Sequence, residues 1–281
     1  MILLASVVIS VAGQSGAEWI DVMRAGTAEA RSQGREGLLG MGLAALPVLI
    51  EVASDAEAFI RWEAVNALGT LIAEAPLSFE PAIPILCERA LADSDSHTRW
   101  RSLWALAMYL AEQETERIIP TLRDGLHATD DQHRWHAAVA LAYFRQPEAA
   151  PLLNQGIQRE ADFDRWEAIF CMGMVHDAES VTLLIGVIQG VADWDVDLRQ
   201  EAALTLGHTG DPRAIPALIN SLFDPEPHVR WRAASSLERI GGTDVLPDVQ
   251  VALSRETDAL AIEIITQIVE RLLYELEHGS A

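Results

Sequence analysis

Asp211-Pro212-Arg213-Ala214-Ile215-Pro216-Ala217-Leu218-Ile219, then a short acidic turn and Arg230-Trp231-Arg232-Ala233-Ala234-Ser235-Ser236-Leu237, reads as two helices back to back. In the first, Pro216 stands in the opening turn, where a proline loses no hydrogen bond because that N–H has no partner in a helix. In the second, Ala233, Ala234 and Leu237 fall three, four and seven places after Arg230, which is one stripe of an α-helix. The same second segment recurs as Arg61-Trp62-Glu63-Ala64-Val65-Asn66-Ala67-Leu68-Gly69 and as Arg199-Gln200-Glu201-Ala202-Ala203-Leu204-Thr205-Leu206-Gly207. Arginines 61, 99, 134, 165, 199 and 230 head it, at intervals of 38, 35, 31, 34 and 31 residues. A fixed period in this range is the signature of stacked helical repeats.

The first helix carries its own mark. Leu46-Pro47, Ile83-Pro84, Ile119-Pro120, Ala150-Pro151, Ile215-Pro216 and Leu246-Pro247 each open an apolar stretch. The glycine that closes some second segments, as at Gly69 and Gly207, predicts a helix C-cap. Six residues before the arginine stands an aspartate in four units, Asp55, Asp93, Asp193 and Asp224, placed to cap the second helix and to meet the arginine of its own or the next unit. Asp55, Arg61, Asp93, Arg99, Arg134, Arg165, Asp193, Arg199, Asp224 and Arg230 thus form an expected structural ladder. No two-periodic, β-rich stretch competes with this pattern.

The composition narrows the function. The 281 residues carry a formal net charge of −22, with 42 acidic and 20 basic side chains, and every basic one is arginine. Such a chain repels phosphate backbones, which argues against DNA or RNA as a partner. Cys87 and Cys171, each on an apolar stripe, read as buried thiols; two cysteines make neither a disulfide framework nor a cysteine-rich zinc site. Residues 1–17 hold no charged side chain, and the apolar block Ile2 to Val11 is followed by small residues. That has the shape of a secretory leader without its basic start, or of an apolar N-terminal segment or anchor, and leaves cytoplasm and export equally open. Outside it there is no apolar run long enough to span a membrane.

The stretch from Asp211 through Asp224 and Val229-Arg230 resembles the HEAT-repeat family, in the short HEAT-like form of the phycobilisome-lyase type. The resemblance covers about residues 34–253. It implies an all-α fold, a right-handed α-solenoid of about six helix pairs with N- and C-terminal capping helices. The expected organisation is a single solenoid over residues 18–281, with repeats at roughly 34–74, 80–112, 114–144, 147–174, 177–208 and 211–241. Trp19 to Arg35 is expected to cap one end and residues 244–278 the other. Units three and four depart from the pattern, with Ala128 and Arg159 where the aspartate belongs, and unit five has a longer turn and Gln200 in place of tryptophan.

In this family the arginine-bearing helix lines the concave face, so the resemblance places Trp62, Trp100, Trp135, Trp166 and Trp231 as a tryptophan ladder along a groove, with Trp104 beside them. The next positions, Glu63, Arg101, His136, Glu167, Glu201 and Arg232, alternate in charge. Indoles in that register either fill space between repeats or anchor an extended partner, and an indole can do both with its two faces. The expected binding residues are Trp62, Trp100, Arg101, Trp104, Trp135, His136, Trp166, Glu167, Trp231 and Arg232.

No catalytic centre is expected. Di-iron HEAT-repeat hydroxylases need His-Glu pairs at positions occupied here by Trp62-Glu63 and Trp166-Glu167, and an indole cannot ligate iron. His133 and His136, near Asp130 and Asp131, lack a third metal ligand and read as a polar helix start. There is no nucleophile elbow and no phosphate-binding loop. The reading is a non-catalytic scaffold or adaptor, without cofactor or metal, binding a protein or peptide partner that its own charge would favour as basic. The alternatives are tetrapyrrole handling of the bilin-lyase kind, where Arg101 and Arg232 would meet propionates, and a structural subunit of a larger complex.

Overall fold

The computed structural model describes residues 15–74, 80–109, 115–190 and 194–279, and among these every regular element is helical. The chain divides into two compact units, residues Met1–Ala140 and Leu141–Ala281. In the first, α1 (Gly16–Arg24), α3 (Leu46–Val52), α5 (Ile83–Ala92) and α7 (Thr115–Gly125) alternate with α2 (Ala28–Gly40), α4 (Ala58–Glu74), α6 (Ser96–Tyr109) and the start of α8 (Asp131–Tyr143). Helices α2, α4 and α6 pack side by side, with α3 against α4 and α5 against α6 and α7. In the second unit, α9 (Ala150–Gly156), α11 (Ala178–Gln189), α13 (Ile215–Ser221) and α15 (Leu246–Arg255) alternate with α10 (Asp162–Val175), α12 (Val196–Thr209), α14 (Pro227–Gly241) and α16 (Ala259–His278). There α10, α12, α14 and α16 form one row and α9, α11 and α13 another. Of the suspected leader, residues 1–14 lie outside the described ones; Ser15 caps α1 through the Glu18 amide, and Gly16 and Ala17 belong to its first turn.

The core follows the arginine register. The residue seven places on is Leu68, Leu106, Leu141, Met172, Leu206 or Leu237, all fully buried, and the residue three places on is always small and buried. Truncating one of these leucines to alanine removes about 2–5 kcal/mol, the usual cost of a cavity in a close-packed interior. Cys87 and Cys171 are buried free thiols, and burial pushes the Cys87 thiol up to about 12.

Prolines 47, 84, 151, 216 and 247 stand in first turns, four of them after a short 3-10 turn and Pro84 after the 3-10 segment Glu80–Ala82. Pro120 departs from expectation: α7 already begins at Thr115, so the proline lies inside the helix. Here the lead-in that is a 3-10 turn elsewhere has joined the α-helix.

The glycines predicted as caps are also corrected. Gly69 and Gly207 lie within α4 and α12, and the left-handed cap of α12 is Gly210. They stand eight places after the ladder arginine, as does Gly173, and each meets the residue six places after the next arginine. A Cβ on Gly207 would lie 2.8 Å from Ser236 Cβ, one on Gly173 2.8 Å from Thr205 Cγ2, and one on Gly69 3.3 Å from Ala105 Cβ. The bare backbone lets successive arginine-bearing helices approach closely, and the Ser236 hydroxyl donates across the contact to the Ala203 carbonyl at 2.8 Å.

The ladder arginines reach backwards in their own unit. Nη1 donates to carbonyls five or six residues earlier: from Arg61 to Asp55 and Ala56, from Arg99 to Asp93, from Arg134 to Ala128 and Thr129, from Arg199 to Trp194, from Arg230 to Asp224 and Pro225. These carbonyls lie in the turn between the two helices, where no intrahelical donor reaches them. Arg31 makes the same bond to Gly26 at 2.7 Å. Residues 15–40, which contain the expected cap Trp19 to Arg35, are therefore built as a helix pair of the same kind, with Arg31 thirty residues before Arg61.

Some arginines also reach forwards. Arg61 grips Asp93 of the next pair with two bonds of 2.7 Å, Arg199 grips Asp224 with two of 3.1 Å, and Arg230 grips Glu256 with bonds of 2.6 and 2.5 Å. Each acid also ties its own turn, Asp93 and Asp224 accepting the amide two residues on. Asp55 does so as well, although its ion-pair partner is Arg24 at the end of α1. The arginine thus meets the carbonyl of its own unit and the carboxylate of the next. Arg134 and Arg165 pair with Asp131 and Asp162 of their own helices, and Asp193 lies outside the described residues.

Candidate binding surface

The expected groove residues sit on the arginine-bearing helices, but burial separates them. On α6, the Trp100 indole is 50% exposed, while Trp104, one turn on, is half-buried and packs over Gly69 with its ring 3.2 Å from where a Cβ would stand. The Arg101 guanidinium lies over the Trp104 ring at 4.1 Å. Trp62 on α4 is half-buried. Trp135 corrects the expectation: at 2% exposure it is a core residue, enclosed by its neighbours, and offers no ring to a ligand. His136 is committed as well, its Nδ1 bonded at 2.9 Å to the Leu91 carbonyl at the end of α5.

Glu63 is not an open charge. It is buried and receives Arg35 of α2 at 3.1 Å, a partner the repeat pattern does not mark because α2 carries no tryptophan. His133 contributes its backbone amide to an Asp130 cap at 2.8 Å. No cluster of three metal-ligating side chains occurs among the described residues.

In the second unit, Trp166 of α10 donates its indole N–H to the Glu201 carboxylate of α12 at 3.2 Å. Burial raises the Glu201 carboxyl above its ordinary range, against the opposing charge of Arg232 and the indole bond. Phe163 and Phe170 flank Trp166 at ring separations of 6.1 and 5.4 Å, and Phe163 is 57% exposed. Their spacing, three before and four after Trp166, was present in the sequence as one helix stripe. Glu167 is half-buried beside them. On α14, Arg232 lies over the Trp231 ring at 4.8 Å, with His228 edge-on to the same indole.

Each unit therefore carries its own exposed aromatic on an arginine-bearing helix, Trp100 in the first and Phe163 in the second, each beside a half-buried indole. Such a set supplies flat apolar anchors with a few oriented polar groups. No helix of the described residues is long and apolar enough to cross a membrane.

Known proteins place the chain. Over 57 residues it is 42% identical to the phycocyanobilin lyase subunit alpha of Picosynechococcus sp. (strain ATCC 27264 / PCC 7002 / PR-6), which is 20% of this chain and 21% of that relative. The X-ray structure of the Escherichia coli protein YibA superposes with a TM-score of 0.59 at 19% identity, over 92% of this chain and 93% of that one. The complex of CpcE and CpcF of phycocyanin lyase from Nostoc sp. PCC7120 gives a TM-score of 0.46 at 18% identity, over 97% of this chain and 99% of that chain. The family described as HEAT repeats matches residues 17–107, 83–173, 119–190 and 184–268. Its matches span nearly the whole described chain, and the protein belongs to the HEAT-repeat family.

Proposed function

We propose that this chain is a non-catalytic scaffold that binds a segment of a partner protein on its arginine-bearing helices, with the exposed aromatics as anchors. The observation that carries this is the exposure of Trp100 and Phe163 on helices whose other described large apolar side chains are buried or half-buried. An aromatic side chain left in water at a repeat-specific position loses little of its folding contribution when truncated, but supplies much of the area that a partner covers. The net charge of −22 favours a partner that is basic overall and would speed its approach.

The test begins with the tagged full-length chain, co-purified with a partner from its native host and rebuilt from the two purified components. Trp100→Ala and Phe163→Ala are expected to weaken the complex by about tenfold or more each while leaving the thermal melt in place. Unchanged affinity in both variants would remove the anchors from the reading. The second reading, handling of an open-chain tetrapyrrole, draws on the 42% identity to a phycocyanobilin lyase subunit across a fifth of the chain. A visible absorption band that appears on mixing the protein with phycocyanobilin, and that Trp100→Ala alters, would favour it over the scaffold.

A further inference from the structure

Arg101 stands out in a molecule where, among the described residues, most buried and half-buried arginines are tied to acids and carbonyls. Arg61, Arg89, Arg199 and Arg230 each hold a carboxylate. Arg101 has none: among the described residues it forms no ion pair, and its Nε is closed off from solvent with no hydrogen-bond partner. Burial pulls its guanidinium below the usual arginine range, and no charged neighbour among the described residues offsets that. In so acidic a chain, an arginine held away from every acid among the described residues on a half-buried site is a costly arrangement unless something else meets it. The guanidinium is also held in place by its stack on Trp104 at 4.1 Å, and Trp104 is itself seated over Gly69. A planar fork fixed in this way is prepared to receive a carboxylate with two parallel bonds.

The half-exposed Trp100 sits next to it in sequence. The arrangement recurs in the second unit at the same register, two places after the ladder arginine. There Arg232 lies over Trp231, and both its Nε and the Trp231 indole nitrogen are enclosed without a partner. Arg232 has a compensating neighbour in Glu201, so it is the weaker instance of the two.

We infer that Trp100, Arg101 and Trp104 form an anchor for an aspartate or glutamate side chain of the partner segment, with an adjoining apolar residue of that segment lying on Trp100. This rests on the protein-binding reading above and sharpens it. Long-range charge draws in a basic partner, yet the fixed contact at α6 is made to an acid, so the segment carries both signs.

The experiment probes the full-length chain with an array of peptides whose ends are acetylated and amidated, which removes terminal carboxylates from the comparison. The field of a −22 protein enriches basic peptides by itself, so selection of an acidic residue beside an aromatic or branched one runs against that background. The expected result is such a motif, with affinity falling about tenfold or more when the peptide acid becomes its amide, and equally in Arg101→Gln. Combining the two changes should cost no more than either alone. Arg101→Lys, which keeps the charge but loses the planar fork, should recover only part of the affinity; both variants are checked for an unchanged melt. Peptides that bind regardless of Arg101→Gln, or that lack an acid, overturn the anchor and leave the protein-binding reading standing. An array with no binder at all, joined to a partner complex indifferent to Trp100→Ala, overturns both.

Discussion

Two sets of ladder arginines share one position in the repeat and behave differently. Arg61, Arg199 and Arg230 hold their own turn and a buried acid of the next pair, whereas Arg99 holds its turn, and Arg134 and Arg165 add only an acid exposed on their own helix. The turn carbonyls are thus the part of the work shared by Arg61, Arg99, Arg134, Arg199 and Arg230, and the forward acid the variable part. Where Ala128 and Arg159 replace the acid, the backward bonds of Arg134 and the buried stripe remain. The boundary between the two compact units, at residues 140 and 141, falls in the stretch where forward acids are missing from the sequence.

The comparison is broken most forcefully at Asp93. It is fully buried and accepts from Arg61, Arg89 and the Asp95 amide, so Asp93→Ala leaves a buried guanidinium unpaired and is expected to cost about 3–5 kcal/mol in urea unfolding. A loss under 1 kcal/mol would show that the backward bonds alone hold the arginine.

The second test uses pH. Arg230 and the Thr257 and Asp258 amides hold the Glu256 carboxyl down to about 2. The folded state therefore binds this proton less readily than the unfolded chain. Its stabilising contribution is complete above the ordinary glutamate range near 4.5 and is lost as pH falls towards 2. Melts followed across that window should lose on the order of 2 kcal/mol from this residue, a loss absent from Glu256→Gln, which starts lower and changes less.

The third test restores what is missing. Ala128→Asp places an acid six residues before Arg134, the position of Asp93 relative to Arg99, and should give Arg99 a forward partner worth about 1 kcal/mol, read as a raised Tm. The smallest effect is expected at Asp131→Ala, where an exposed pair with Arg134 is removed and the melt should shift by less than about 0.5 kcal/mol.

Much of this was legible in the sequence, because a strict helical register repeated many times leaves few alternatives. The proline-marked and arginine-marked helices and the buried stripe follow from it directly, whereas the aspartates expected to meet the arginine of their own or the next unit meet that of the preceding one, as Asp93 meets Arg61 and Asp224 meets Arg199. The pair α1–α2 was less visible: Arg31 has neither tryptophan nor preceding aspartate, and only its spacing from Arg61 gives it away. Glu256 stood outside an aspartate pattern, although one methylene more reaches the same guanidinium. The tryptophans were the least legible. Register fixes the direction in which Trp100 and Trp135 leave their helices, but the size of the side chains on neighbouring helices decides that one is half in water and the other enclosed. Gly69 and Gly207 misled for a related reason: glycine serves both a left-handed cap and a close approach, and only the packing partner distinguishes them.

Where the arginine reaches back to its own turn and forward to the next acid, as Arg61, Arg199 and Arg230 do, the repeat becomes a matched half-joint on both sides. A duplicated repeat can enter such a chain without stranding a charge, since the newcomer brings one acceptor and one donor with it. Decay is equally local: losing an acid, as at Ala128, removes one bridge and leaves its neighbours in register. The ladder thus records how a molecule of this kind can lengthen, shorten and diverge one unit at a time.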